Sequence, residues 1–326
     1  MALGPDDWEV PVRAQPDPDD YAFDLDRALD AVVGLTARVP PDAFTAGTLG
    51  TERSGNGVVI RDDGIVLTIG YLITEAEEVW LTTNNGRVVP GHVLGYDQAT
   101  GFGLVQALGP LGVRALRPGY ARDAEPGTEV VIAGAGGRRR SLAGRIVARQ
   151  EFAGYWEYVL DDAIFTAPAH PHWGGTAVIG PAGDLLGIGS LQIQHQAEGG
   201  RMLPLNMVVP IDILQPIFDD LATLGRADQP PRPWLGLFAT EDEGRVVVVG
   251  FAGNGPAKRA ELREGDAVLA VDGEAVTDLA GFFRAVWALG EAGVEVPLTL
   301  DREGDVFDVS IRSADRARVL KSAKLH

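Results

Sequence analysis

The sequence predicts a mostly β protein, an antiparallel barrel or sandwich followed by a smaller mixed module, and two observations carry that prediction. From about residue 45 to 215, short runs rich in Val, Ile, Leu and Thr recur at roughly ten-residue spacing, the rhythm of strands joined by turns. Beyond a proline-rich stretch, strand-like segments then alternate with one clear helical pattern. With 326 residues and 45% hydrophobic content, the chain is long enough for more than one packed unit.

Residues 1–44 read as an acidic arm ending in a short helix. The first 20 mix Asp and Pro with few apolar residues, a composition that orders only against a partner. Phe23, Leu25, Leu29, Val32 and Val33 then follow helical spacing. The β body, 45–224, contains runs such as Gly57–Ile60, Ile65–Thr68, Val79–Thr82, Val130–Ile132 and Leu185–Ile188, separated by Asp-Asp-Gly, Asn-Asn-Gly and Gly-Gly. Ile211 to Leu224 reads as its closing helix. GRADQPPRP, 225–233, is a linker, because consecutive prolines give an extended spacer. The module spans 234–314, with a helix from Asp278 to Leu289, and a polar, basic tail occupies 315–326.

Composition excludes several functions. With no cysteine there is no disulfide, thiolate nucleophile or cysteine-ligated zinc. The net charge of −18, from 28 basic and 46 acidic residues, argues against nucleic acid and anionic lipid as partners. The basic run Arg138-Arg139-Arg140 reads as a solvated loop. No apolar stretch reaches the ~18 residues of a membrane span, and the first thirty residues lack a basic start followed by an apolar core. Met1 is then either a natural start, with the protein in the cytoplasm, or stands in place of a removed leader.

Three segments carry a family resemblance. Gly57-Val58-Val59-Ile60 through Leu67-Thr68 resembles the strand pair that opens the protease domain of HtrA-type enzymes, in which the catalytic histidine follows at once; Tyr71 holds that slot. Gly95-Tyr96-Asp97-Gln98-Ala99-Thr100 resembles the stretch preceding the aspartate that orients the histidine, and Gly101 holds that position. His170-Pro171-His172-Trp173-Gly174-Gly175-Thr176-Ala177 resembles the nucleophile turn, with Gly174 in the place of the serine. The resemblance implies a trypsin-like pair of six-stranded β-barrels and, with every triad position replaced, a catalytically degenerate member, a pseudoprotease. A hydroxyl becomes a nucleophile only with a base to take its proton. Glycine supplies neither group, and tyrosine, with a pKa near ~10, is a poor base at neutral pH.

A relocated site is the alternative: Thr176, two residues from the lost nucleophile, activated by His170 or His172. The family's oxyanion turn is altered as well, since His172 stands where a glycine is usual and Trp173 follows it. His170 and His172 are also weak metal candidates, being two apart on an extended segment. No third ligand is identifiable beside them, and His92 and His195 are the other internal histidines. No cofactor is expected.

The module resembles a PDZ domain. Trp234-Leu235-Gly236-Leu237 resembles the loop whose backbone N–H groups receive a peptide's terminal carboxylate, and Gly255-Pro256-Ala257, Ala260 to Leu269 and Val271-Asp272-Gly273 resemble its later signatures, with Glu261 where the family commonly has glycine. Leu279, Phe282, Phe283 and Val286 of the helix divide between groove and core, with helical spacing fitting either. The resemblance implies a protein that binds polypeptide, C-terminal or unfolded, as adaptor, chaperone or regulatory subunit. It further implies an extracytoplasmic setting and a homo-trimer or a hetero-oligomer with an active relative, with Tyr21 and Phe23 as candidate contacts. No membrane insertion is expected.

Overall fold

A computed structural model describes residues 8–196 and 200–321. The described chain divides into two compact units, one of 8–150 and 162–228, the other of 151–161 and 229–321.

The first unit holds two closed barrels. Asp24 caps α1 (Leu25–Asp30) by accepting from the Arg27 amide, and the chain turns at once into β1 (Val32–Arg38). Val32 and Val33 therefore begin a strand instead of extending the helix: β-branched residues fit the pleat, where Val32 pairs with Val58 and Val33 with Gly57. The body thus starts well before residue 45. After the short α2 (Ala46–Leu49) come β2 (Glu52–Val59), β3 (Ile65–Ile69), β4 (Glu78–Thr82), β5 (Val88–Tyr96) and β6 (Phe102–Ala107), closing in the order β1-β2-β3-β6-β5-β4. Val58, Leu67, Leu81 and Leu104 are all buried. The second barrel comprises β7 (Glu129–Ala133), β8 (Ser141–Gly154), β9 (Tyr158–Ala167), β10 (Ala177–Ile179), β11 (Leu185–Gln196) and β12 (Met202–Pro210), closed as β10-β11-β12-β9-β8-β7. Closure removes every sheet edge, and Ile132, Ile146, Phe165 and Val208 are all buried. The double six-stranded barrel expected from the sequence is present.

The closing segment is not one helix. Two 3-10 turns, Ile211–Ile213 and Gln215–Ile217, precede α3 (Phe218–Leu224), and Pro216, which has no N–H to give, falls where a continuous helix would need one. The acidic arm packs on its own chain. The Val10 amide donates to the Arg139 carbonyl at 2.8 Å, Val10 is buried, and Phe23 fills the space over Gly183. Arg138 and Arg139 pair with Asp26 and Glu9.

In the second unit, β13 (Leu237–Asp242), β14 (Arg245–Phe251), β15 (Ala267–Val271), β16 (Glu274–Ala275), β17 (Glu295–Arg302) and β18 (Asp305–Arg312) form a sheet ordered β13-β14-β15-β17-β18, with β16 beside β15. The short α4 (Pro256–Arg259) and α5 (Leu279–Ala288) accompany it, and Asp278 caps α5 through the Gly281 amide. β13 lies at the edge of the sheet. The hairpin end of β8 and β9, residues 151–161, also belongs to this unit.

Candidate functional site

Two places gather the residues that the sequence singled out: the turn 170–176 with Tyr71 in the first unit, and the loop 234–237 in the second.

Tyr71 sits in the 3-10 turn after β3. Its hydroxyl donates to the Ser190 carbonyl at 2.8 Å. It also lies 2.7 Å from where a Cβ on Gly174 would stand. Burial raises the phenol pKa above its ordinary value, and a bond from the Trp173 side chain offsets only part of that rise. A phenol held neutral with its proton committed to a carbonyl is not a base. Behind it, Arg53 donates to the carbonyls of Tyr71 at 2.8 Å and Thr74 at 2.9 Å and to the Thr45 hydroxyl at 2.8 Å, while Glu75 accepts from Thr45. Arg53 and Glu75 are both buried, a satisfied polar network that fixes the turn. Gly101 accepts from the Gly70 amide at 2.7 Å and donates to the Asp97 carbonyl at 2.9 Å. Tyr71 thus stands beside Gly174, and Gly101 is bonded to Gly70 next to it, which brings together a phenol and two glycines.

The turn itself is wired to the first barrel by Asn56 of β2. The Asn56 side chain donates to the carbonyls of His172 and Gly174, both at 3.0 Å, and accepts from the Ala135 amide at 2.9 Å. Both faces of its amide are used. The His172 amide donates to Nδ1 of His170 at 3.1 Å. His172 is not among the residues with positive φ, so it occupies ordinary backbone space. Nε2 of His170 faces the Arg140 carbonyl at 2.8 Å, which makes Nε2 the protonated nitrogen. Both ring nitrogens are therefore engaged, leaving neither for a metal ion or for Thr176. Among the described residues no cluster of three or more His, Cys, Asp or Glu is placed to hold a metal. Burial lowers the His170 pKa to about 4. Burial and then Arg140 also lower that of His172.

Thr176 is fully buried, and its hydroxyl donates to the Trp173 carbonyl at 2.9 Å. Its proton is used to close the turn. Trp8 lies edge-on to both His170 and His172, with centroids 5.3 and 5.1 Å away, and Arg140 stacks over its ring. Neither Asn56 nor Trp8 had any signature in the sequence, because each acts from a remote segment.

In the second unit Trp234 and Leu235 are buried, and Trp234 bridges to Ala314 through both backbone bonds. The carbonyls of Leu235 and Gly236 accept from the amides of Ala257 and Ala252. Gly236 has φ +71, and a Cβ there would stand 2.9 Å from the Trp234 ring. The amides of Leu235, Gly236 and Leu237 all donate to the Glu157 carboxylate, at 3.1, 2.7 and 3.3 Å. Leu279, Phe282, Phe283 and Val286 are all buried in the unit's apolar cluster, together with Leu237 and with Val159 from the 151–161 segment. Glu157 precedes the loop by 78 residues, so no local motif could have pointed to it.

Residues 55–188 match the trypsin-like peptidase domain, and residues 233–312 match the PDZ domain. A "Probable periplasmic serine endoprotease DegP-like" of Pseudomonas fluorescens is 25% identical over 277 residues, covering 80% of this chain and 56% of that protein. The "Putative serine protease HhoA" of Synechocystis sp. is 26% identical over 283 residues, covering 76% and 66%. The chain spans little more than half the length of the Pseudomonas relative, 56% of it. Among solved structures, an HtrA-type protease AlgW with a tripeptide superposes with a TM-score of 0.51 at 20% identity, covering 88% of this chain and 94% of that one. The same protease with a decapeptide gives 0.52 at 19%, covering 89% and 97%. Likeness at that identity speaks for the fold. Among the described residues no helix is long and apolar enough to cross a membrane.

Proposed function

We propose that this chain, which has the trypsin-like and PDZ domains of the HtrA-type serine proteases, binds polypeptide without cleaving it, as an adaptor, chaperone or regulatory subunit. The observation that carries the reading is the Tyr71 hydroxyl, 2.7 Å from the place a nucleophile's Cβ would take at Gly174. Acyl transfer needs a nucleophile, a base within hydrogen-bond reach and donors for the oxyanion. Here Gly174 has no hydroxyl, Tyr71 gives its proton to Ser190, and the His172 amide is spent on His170. Thr176 offers no substitute, because its hydroxyl and the His170 ring are engaged elsewhere.

Binding belongs to the second unit. Successive amides at Leu235, Gly236 and Leu237 converge on one carboxylate, and β13 offers an edge to which an extended peptide can add. We place the protein outside the cytoplasm on its similarity to relatives named periplasmic. The partner is a polypeptide, with C-termini the first class to try. Unfolded casein incubated with the protein at high concentration should remain intact, while a labelled C-terminal peptide should bind and be lost on Gly236→Val. Cleavage that survives repurification would overturn the first half of the reading, and binding unaffected by Gly236→Val the second.

A further inference from the structure

An edge strand presents unpaired N–H and C=O groups to any chain laid beside it. On β13 that edge is taken by residues of the same chain. The Ala239 amide donates to the Tyr155 carbonyl at 3.0 Å. Two residues along both segments, the Leu237 amide donates to the carboxylate of Glu157. Leu235 and Gly236 complete the set of donors. A carboxylate in a nest of successive amides, with a backbone bond two residues behind it, is the arrangement by which a strand-adding peptide is held. The one difference is that the carboxylate belongs to a side chain.

The rest of the hairpin supports that placement. Glu157 turns the tip at φ +62 and is only 8% exposed. Trp156 stacks on Tyr158 at 5.6 Å, and the Tyr155 ring meets Phe238 edge-on at 5.4 Å. Val159 enters the apolar cluster with Leu237, Phe282, Phe283 and Val286, and Ala153 packs against it. From α5, Arg284 pairs with Glu151 on one strand of the hairpin and Asp161 on the other. A buried carboxylate is costly unless it is fully bonded. Here the three amides and the nearby charge of Arg316 offset part of that cost.

We infer that the hairpin 151–161 is an internal ligand of the peptide groove, with the Glu157 carboxylate in the place of a chain terminus, and that an outside C-terminal peptide binds by displacing it. The inference rests on reading the groove as a polypeptide site. It also names the ligand class: a free α-carboxylate on an extended segment, with an aromatic residue third from the end to meet Phe238 as Tyr155 does. A tethered ligand acts at an effective concentration of order millimolar. The apparent affinity for an outside peptide is therefore reduced by the fraction of molecules whose groove is open.

The test is a fluorescence-anisotropy titration of the full chain with fluorescein-labelled Glu-Phe-Ala-Gly-Tyr-Trp-Val, which copies residues 151–156 and ends in a free valine carboxylate, and with its carboxamide. The inference expects Glu157→Ala and Glu157→Gln to bind the acid at least tenfold more tightly than the wild type, with no such gain for the amide. Arg284→Ala, which leaves the carboxylate loop untouched, should move affinity in the same direction, and circular dichroism checks that each variant is folded. Equal, saturable binding of the acid by wild type and all three variants would overturn the internal ligand and leave the groove reading standing. Failure of every folded variant to prefer acid over amide would overturn both.

Discussion

The hydroxyl of Tyr71 stands 2.7 Å from the point at which Gly174 would carry a Cβ, held there by its bond to the Ser190 carbonyl. The two residues fit one another: the glycine leaves the space and the phenol fills it. A side chain at 174 and the native position of Tyr71 are therefore mutually exclusive.

Placing a serine at 174 should accordingly fail twice. Gly174→Ser is expected to leave casein uncut, for want of a base, and to cost about 1–3 kcal/mol by overpacking. In a double-mutant cycle, Tyr71→Ala should relieve that cost, giving a coupling of at least about 0.5 kcal/mol between the positions. Thermal or denaturant unfolding of the two single variants and the double variant measures it; strict additivity would mean that the ring moves aside freely.

The His170 imidazole gives the first unit an acid sensitivity of definite sign. Its pKa falls from 6.5 in the unfolded chain to about 4 in the fold, so between those values the unfolded state binds more protons. The contribution of this group is fully present above pH 6.5 and is lost as pH falls through 4. A fall from 6.5 to about 4 corresponds to an upper limit of about 3 kcal/mol. Unfolding measured from pH 7.5 to 4 should show wild-type stability falling more steeply than that of His170→Gln, which has no imidazole to charge.

The strands were legible because alternation and turn residues are local. Val58, Val66, Leu81 and Ile132 lie in strands as their runs require, and Asp278 marks the start of α5 through a cap that two neighbouring residues define. What was not legible depends on distant partners. Val32 and Val33 satisfy a helical period as well as a strand, and only pairing with β2 decides between them. At the candidate site, Tyr71, Gly101 and Gly174 could be read as positions, but not that Tyr71 bonds Ser190, that Asn56 gathers the turn, or that Trp8 covers the histidines. Each of those contacts joins segments more than a hundred residues apart. The amides of Leu235 to Leu237 were recognisable as a carboxylate nest, whereas nothing near Glu157 marked it as their occupant.

Trp8 shields the histidine pair, and its removal should be felt at His170. Trp8→Ala takes away two edge-on ring contacts and the cation stacked over them, together worth about 1–2 kcal/mol at a partly exposed position. Water then reaches the imidazole, and its pKa should rise from about 4 toward 6.5. Imidazole proton resonances followed through a pH titration would register the change; an unmoved midpoint would mean that the barrel alone buries His170.

Glu157 gives the second unit the opposite dependence. Desolvation raises its pKa from 4.5 to about 7, against the lowering effect of three backbone amides and Arg316, so the docked hairpin takes up a proton that the free one releases. A raised carboxylate pKa contributes stability that is fully present below pH 4.5 and is lost as pH climbs through 7. Docking should therefore weaken between pH 5 and 8, by an upper limit of about 3 kcal/mol. Thermal unfolding of wild type and Glu157→Gln across that window should show the wild type losing stability relative to the amide variant as pH rises. A carboxyl-carbon titration of Glu157 should have its midpoint near 7, and a midpoint at 4.5 would place the carboxylate in water and the hairpin out of the groove.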